Sequence, residues 1–220
     1  GADIVINSRS RKEMDEAMSY ILDGTGRQGH CVVADLFKRE DTVRLAREAL
    51  EAMGRVDIIV NNAGTNIVSP VDKIVDQDWD KLIELNLTAP MVLVRECADQ
   101  MKERKWGRIV NISSIFGMCT KNERGGYSAT KSGLIGITRT MAQDLAPWGI
   151  TANAIAPGPI STPLTDRMVQ GELREYFNSM LLGRWGTPED LIGPVLLLSS
   201  DAGSFITGTT LTVDGGWMTH

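Results

Sequence analysis

The sequence predicts an α/β fold, a doubly wound parallel sheet with helices on both faces in three α/β/α layers. Three observations carry this. Short β-branched runs alternate with longer amphipathic stretches along all 220 residues, and strands joined through helices pair in parallel and have both faces covered. The unusual polar and glycine residues fall just after each strand, where open sheets of this kind bind ligands. The chain has 42% apolar and 23% charged residues, an ordinary balance for one large domain with a sizeable core.

Ile4-Val5-Ile6 reads as the first strand, and Ser10-Arg11-Lys12-Glu13 has the S-x-x-E form of a capping box that opens a helix. Cys31 to Ala34 is the next strand. Val43, Ala46, Leu50 and Met53 recur at helical spacing, and Gly54 ends that helix before a strand at Val56 to Val60. One long helix is expected from Asp76 to Arg104. A strand follows at Arg108 to Ile112, a helix from Tyr127 to Leu145 and a strand at Ile150 to Ile155. After a less regular stretch at Ser161 to Gly183, a helix opens near Pro188 and runs to Ser199, and the last strand covers Thr209 to Val213. The chain carries no repeat, linker or low-complexity segment, so residues 1–220 read as a single domain.

Composition excludes several kinds of partner and chemistry. A net charge of −5 with no basic run argues against nucleic acid. No apolar stretch approaches membrane-spanning length, the longest being Val195 to Leu198, and the first residues do not read as a signal peptide. Cys31, Cys97 and Cys119 lack C-x-x-C spacing and read as free thiols in a reducing compartment, the cytoplasm. Only His30 and His220 occur, far apart and near no acidic cluster. Zinc chemistry and a Ser-His-Asp triad therefore both lack parts, and no metal is expected.

Tyr127-Ser128-Ala129-Thr130-Lys131 carries the chemistry. Residues four apart on a helix share a face. A free phenol titrates near 10, and a nearby ammonium favours its ionised form. The pair can then move a proton to or from a substrate oxygen while a cofactor moves hydride. Ser114, just after the strand ending at Ile112, can meet the same oxygen. Asn86, inside a helix, can hold a water that relays protons toward Lys131.

The ordered set Asn61-Asn62-Ala63-Gly64, Asn86, Ile112-Ser113-Ser114, Tyr127 to Lys131, Pro157-Gly158 and Val213-Asp214-Gly215-Gly216 resembles the short-chain dehydrogenase/reductase family over essentially the whole chain. The resemblance implies a Rossmann-like sheet and a carbonyl/alcohol oxidoreductase. By the same resemblance, Tyr127 is the acid/base, Ser114 polarises the carbonyl, Lys131 binds the nicotinamide ribose and Asn86 completes a proton relay. It assigns adenine contacts to Asp35 and Leu36 and adenosine contacts to Asn62, Ala63 and Gly64. Pro157, Gly158, Ile160 and Thr162 match the segment that fixes the nicotinamide carboxamide.

At the end of the family's second strand, NAD-preferring members carry an acid. Here Ser8 and Arg9 stand in that place and suit the 2′-phosphate of NADP, with NAD the less favoured cofactor. The resemblance begins at that second strand, and the family's first strand, glycine-rich phosphate turn and first helix have no counterpart in these residues. Removing a central strand leaves two buried edges unpaired, so these 220 residues are expected to bind NADP(H) poorly. Gly24-Thr25-Gly26-Arg27-Gln28-Gly29 fits G-x-G-x-x-G by letter but follows a helix and precedes a strand, the reverse of what that motif needs.

The stretch at 161–183, with Leu164, Met168, Tyr176, Phe177 and Met180, lies where the family keeps a substrate lid. The loop before Tyr127 carries Lys121, Asn122, Glu123 and Arg124, which suit a polyol or a sugar acid, Arg124 pairing a carboxylate. Gluconate and deoxygluconate dehydrogenases and 3-oxoacyl reductases are resembled almost equally. A homotetramer acting on a small carbonyl or alcohol substrate is implied by the resemblance. The alternative is a truncated, catalytically silent oligomeric scaffold that binds cofactor poorly.

Overall fold

The protein is described by a computed structural model covering residues 1–162, 165 and 180–219. The elements follow the alternation read from the sequence: β1 (Ile4–Ser8), α1 (Arg11–Leu22), β2 (Gly29–Val33), α2 (Arg39–Met53), β3 (Ile58–Asn61), α3 (Asp76–Ile83), a π-helical turn (Glu84–Thr88), α4 (Ala89–Arg104), β4 (Gly107–Ile112), α5 (Gly125–Leu145), β5 (Ile150–Pro157), α6 (Ile192–Ser199) and β6 (Thr210–Val213). Every strand pair is parallel. The sheet comes in two sections, β1-β2 and β3-β4-β5-β6. Thus β1 and β3 each keep one edge that pairs with no strand among the described residues, the two unpaired edges expected from the sequence.

Local chemistry explains the boundaries. The Ser10 hydroxyl accepts from Glu13 N at 3.3 Å and starts α1, the forward half of the expected capping box. Gly24 and Gly26 take positive φ in the turn from α1 to β2, so that glycine run is a helix-to-strand connection. Gly54, at φ 70°, closes α2. The expected strand from Val56 starts two residues later, at Ile58. The helix expected from Pro188 begins instead as a 3₁₀ turn, Pro188–Leu191, under a full capping box between Thr187 and Asp190. Of the irregular stretch, Leu164, Met168, Leu173, Tyr176 and Phe177 lie outside the described residues.

The long helix expected from Asp76 to Arg104 is interrupted. Pro90 has no N–H to give the carbonyl of Asn86, so the regular ladder fails there. The backbone widens into the π turn, in which Ala89 N donates to Glu84 O.

The core lies on both faces of the four-stranded section. Ile109, Ala152 and Ile150 pack against Cys97 and Met101 of α4 and Met141, Ala142 and Leu145 of α5. On the opposite face Val110 and Ile155 meet Leu198 of α6. A smaller cluster of Val32, Ala34, Leu36, Leu45, Leu85 and Ala89 ties the two-stranded section to α2 and to the π turn. These layers hold the carboxyl ends of β3, β4 and β5 side by side.

Between sheet and helix runs a buried polar ladder. Asn61 Nδ2 donates to Asn111 Oδ1 at 2.7 Å, Asn111 Nδ2 to Thr138 Oγ1 at 2.8 Å, and Thr138 Oγ1 to Leu134 O at 2.6 Å. Removing the middle member strands a buried donor and leaves a cavity. Asn111→Ala is expected to lower unfolding stability by about 2–4 kcal/mol, read from urea denaturation; a loss within ~0.5 kcal/mol would show the ladder to be dispensable.

Candidate active site

The site is built where β4 ends. Ser113 N donates to Ile155 O at 2.7 Å and extends the sheet contact one residue past the strand. Its hydroxyl then donates to the carbonyl of Lys131 at 2.9 Å, while Lys131 Nζ donates to Ile112 O at 2.8 Å. Two bonds in opposite directions therefore stitch the end of β4 to α5. Nothing larger than hydrogen fits at Gly117, where a Cβ would lie 2.9 Å from both Lys131 O and Ser113 Oγ.

Ser114, in extended backbone, caps the 3₁₀ turn Ile115–Gly117, its Oγ accepting from Phe116 N at 3.1 Å. That bond leaves the hydroxyl proton free to point elsewhere, and Ser114 is near enough to the Tyr127 phenol to hold its pKa down. Tyr127 sits in the first turn of α5, at the positive end of the helix dipole. Its ring packs edge-on against Phe116, centroids 6.5 Å apart, and Lys131 Nζ lies 5.7 Å from its centroid. Ser114, Tyr127 and Lys131 are thus brought together.

The electrostatics differ from the simple expectation of a lysine lowering a phenol's pKa. Burial pushes Tyr127 up from 10, opposed by the hydrogen bond from Ser114 and by the charge of Arg124. Burial also brings Lys131 down, to about 8. Both groups are desolvated together, so the lysine spends its charge on the Ile112 carbonyl, and Arg124 supplies the cation that acts on the phenol. This effect is separate from the pairing with a substrate carboxylate that the sequence suggests for Arg124. Its place three residues before Tyr127, one turn back on the same side, was the signal for this second effect.

Asn86 is fully buried in the π turn. Its Oδ1 accepts from Thr65 N at 2.9 Å, and its Nδ2 donates to Thr65 O at 2.9 Å and to Thr130 Oγ1 at 3.1 Å. The side-chain amide, expected to hold a relay water, anchors the loop after β3 to α5, and Thr130 completes that anchor. The geometry still sets Asn86 beside Lys131, because a Cβ built on Gly64 would lie 3.3 Å from Asn86 Oδ1 and 3.4 Å from Lys131 Nζ.

The remaining candidates lie along the same carboxyl-end crevice. Asn62, Ala63 and Gly64 follow β3 and are exposed. At the end of β1, Ser8 Oγ accepts from Ser10 N at 3.2 Å, and the exposed Arg9 guanidinium stands 5.9 Å over the Phe37 ring. Asp35 Oδ1 accepts from Phe37 N at 3.3 Å, so its carboxylate shapes its own turn. Leu36 turns its side chain into the core, which leaves only its backbone for a ligand. Pro157 ends β5, and Gly158 N donates to Val213 O at 2.9 Å, with Asp214 so close that a Cβ on Gly158 would clash at 2.8 Å. Ile160 bridges to Gly186, and Thr162 N is held by Thr165 Oγ1 at 2.8 Å.

Comparison with known proteins agrees with this arrangement. The family profile described as enoyl-(acyl carrier protein) reductase matches residues 1–218. The 3-oxoacyl-acyl-carrier-protein reductase FabG of Aquifex aeolicus is 33% identical over 98% of this chain and 87% of its own length. Among solved structures, a gluconate 5-dehydrogenase from Burkholderia cenocepacia J2315, in complex with NADP and tartrate, superposes with a TM-score of 0.91 at 31% identity, covering 100% of this chain and 87% of that one. A blue fluorescent protein from a metagenomic library, in complex with NADPH, gives a TM-score of 0.90 at 31% identity over 99% of this chain and 88% of its own.

A doubly wound sheet with serine, tyrosine and lysine gathered at its carboxyl end thus has relatives that are oxidoreductases. The chain belongs to the short-chain dehydrogenase/reductase family.

The buried lysine gives a prediction with a defined sign. Its folded pKa of about 8 lies below the value of 10.5 for a free lysine, so between those pH values the unfolded chain binds more protons. The cost of burying the ammonium is fully present below pH 8 and fades as pH rises toward 10.5. Lys131→Met removes that cost but also the bond to Ile112. It is expected to stabilise the protein near neutral pH by about 2 kcal/mol, with the gain over wild type vanishing at alkaline pH. Denaturant melts across pH test this, and an unchanged or lower neutral-pH stability would refute it.

Proposed function

We propose that this chain is an NADP(H)-dependent oxidoreductase interconverting a secondary alcohol and a carbonyl, with Tyr127 as general acid/base. The observation that carries the reading is the gathering of Tyr127, Ser114 and Lys131 at the end of β4, with Lys131 Nζ 5.7 Å from the Tyr127 ring and Ser114 near enough to act on its phenol.

The nicotinamide, when bound, takes or supplies the hydride. In alcohol oxidation the substrate hydroxyl proton passes to Tyr127, and in carbonyl reduction Tyr127 returns it. Ser114 donates to the substrate oxygen as charge develops there, its own acceptor site being held by Phe116 N. Lys131, held by the Ile112 carbonyl, would reach the cofactor ribose. The opening at Gly64 fits this role, since a side chain there would fill the space next to Lys131 Nζ. Asn86 fixes the floor of the same space through Thr65.

Ser8 and Arg9 at the end of β1, with no carboxylate between them, support NADP over NAD. NADP and NADPH in the two solved relatives support the same choice. The substrate is of the sugar acid, polyol or 3-oxoacyl type. The small residues along α5, where a Cβ on Gly136 would meet nothing within 4 Å, and the fully exposed Phe205 with Ile192 and Leu196 support assembly into a homotetramer. Free cysteines support a cytoplasmic setting.

Tyr127→Phe tests the central claim. In a form carrying the family's first strand, phosphate turn and first helix, oxidation of NADPH with a panel of ketones and keto acids is expected, with kcat/KM falling at least about 10³-fold in the variant while calorimetric NADPH binding stays near that of the same form with Tyr127. Turnover by Phe at a comparable rate would overturn the role of Tyr127. Arg9→Glu, which sets a carboxylate against the 2′-phosphate, is expected to shift the NADPH:NADH ratio of kcat/KM toward NADH by about 100-fold. A ratio unmoved by the substitution would remove Arg9 from the cofactor site.

A further inference from the structure

Arg124, whose charge acts on the Tyr127 phenol, has a guanidinium left without a bonding partner among the described residues. It immediately precedes α5 and is only 8% exposed, yet its Nη1 is buried with no hydrogen-bond partner. No carboxylate stands within ion-pairing distance of it among the described residues. Glu123 beside it acts only through longer-range charge, and its backbone is held at φ 63°, a left-handed conformation that L-residues seldom adopt. A buried guanidinium without a partner is costly to the fold, because both its hydration and its counter-charge have been given up. Surface arginines here show the contrast: Arg39 and Arg184 each meet a carboxylate at 2.7–2.8 Å, although both are far more exposed.

A second polar atom, on a neighbouring loop, is in the same condition. Asn66 Oδ1 is buried and unpartnered. Its loop is tied to the Arg124 loop by a bond from Ser69 N to Glu123 O at 3.1 Å. The two loops flank the entrance of α5, where Val71 and Ile74 lie in ordinary contact distance of the space beside Gly125. A buried donor one turn before Tyr127 and a buried acceptor thus lie unsatisfied on two loops that bond to each other.

We infer that Arg124 receives the carboxylate of the substrate, making the substrate a short hydroxy acid or the matching oxo acid. This rests on Tyr127 and Ser114 being the reaction centre, and it narrows the substrate from any carbonyl to a carboxylate-bearing one. The positions of Arg124 and Tyr127 are separated by about one helical turn, ~5 Å along the axis. A carboxylate a few carbons from the carbinol spans such a gap, leaving the carbinol oxygen between the Ser114 hydroxyl and the phenol. The guanidinium fork takes the two carboxylate oxygens together, which a lysine cannot do. A neutral thioester or a simple polyol would leave the guanidinium unpaired.

The test compares an acid with its neutral twin, D-gluconate and D-gluconamide, on wild type, Arg124→Gln and Arg124→Lys. Because Arg124 also acts on the Tyr127 phenol, the quantity read is the acid-to-amide ratio of kcat/KM, in which any common effect on Tyr127 cancels. The ratio is expected to exceed about 100 in wild type, to fall toward 1 in Arg124→Gln and to retain an intermediate value in Arg124→Lys. Equal kcat/KM for acid and amide in wild type, or a ratio that survives Arg124→Gln, would overturn the proposal. Calorimetric titration with the same two compounds reads the preference without turnover. If neither compound is oxidised but the acid binds at least about 10-fold more tightly than the amide, and does so only with Arg124 present, the carboxylate site stands and the hydride-transfer reading falls. If neither compound binds or reacts, the carboxylate site is refuted. Should Arg124→Gln fail to fold, Arg124→Lys carries the comparison alone, and an unchanged ratio there counts against the fork.

Discussion

The geometry of this protein depends on the double stitch between the end of β4 and the middle of α5. A lysine side chain reaches from helix to strand carbonyl, and a serine side chain reaches from strand to helix carbonyl. Either bond alone would leave the helix free to slide or turn. Together they fix both its height and its rotation against the sheet, and Ser113 is itself held by Ile155 on β5. Ser114 and Tyr127 then have little freedom left. Each follows a residue or turn already pinned, so the meeting of hydroxyl and phenol is a consequence of the stitch.

That arrangement is obtained at a thermodynamic cost. Lys131 is buried as a cation whose pKa falls to about 8, and Arg124 is buried with one nitrogen unpaired. Neither arrangement helps the folded state by itself. Around them lie groups that are bonded to one another, such as the amide of Asn86 and the Asn111-Thr138 pair of the ladder. The contrast between settled and unsettled polar groups separates what holds the sheet together from what is available to a ligand.

Much of this was legible from residue order. The alternation of strand and helix patterns gave the element sequence, because burial on both faces makes parallel strands nearly continuous in hydrophobic character. The Y-x-x-x-K spacing with Ser114 after a strand placed the site at the sheet's carboxyl end. What the sequence could not reveal was partner choice among polar groups. The bonds by which Asn86 anchors a loop and Ser113 stitches β4 to α5 are visible only in the fold. The balance between burial and charge at Tyr127 was also hidden, since the same lysine that invites an electrostatic argument is itself desolvated. The break in the long helix had a visible cause in Pro90, but whether a proline kinks, ends or widens a helix depends on what packs around it.

The π turn at Glu84–Thr88 also sets a phase. Each helical residue advances the side chains by about 100°, so a single-residue insertion or deletion between the π turn and Cys97, if not taken up by a further widened turn, would rotate Cys97 and Met101 of the helix away from the sheet. The widened turn is the one place where its register with the sheet was adjusted, and it is also where Asn86 is aimed.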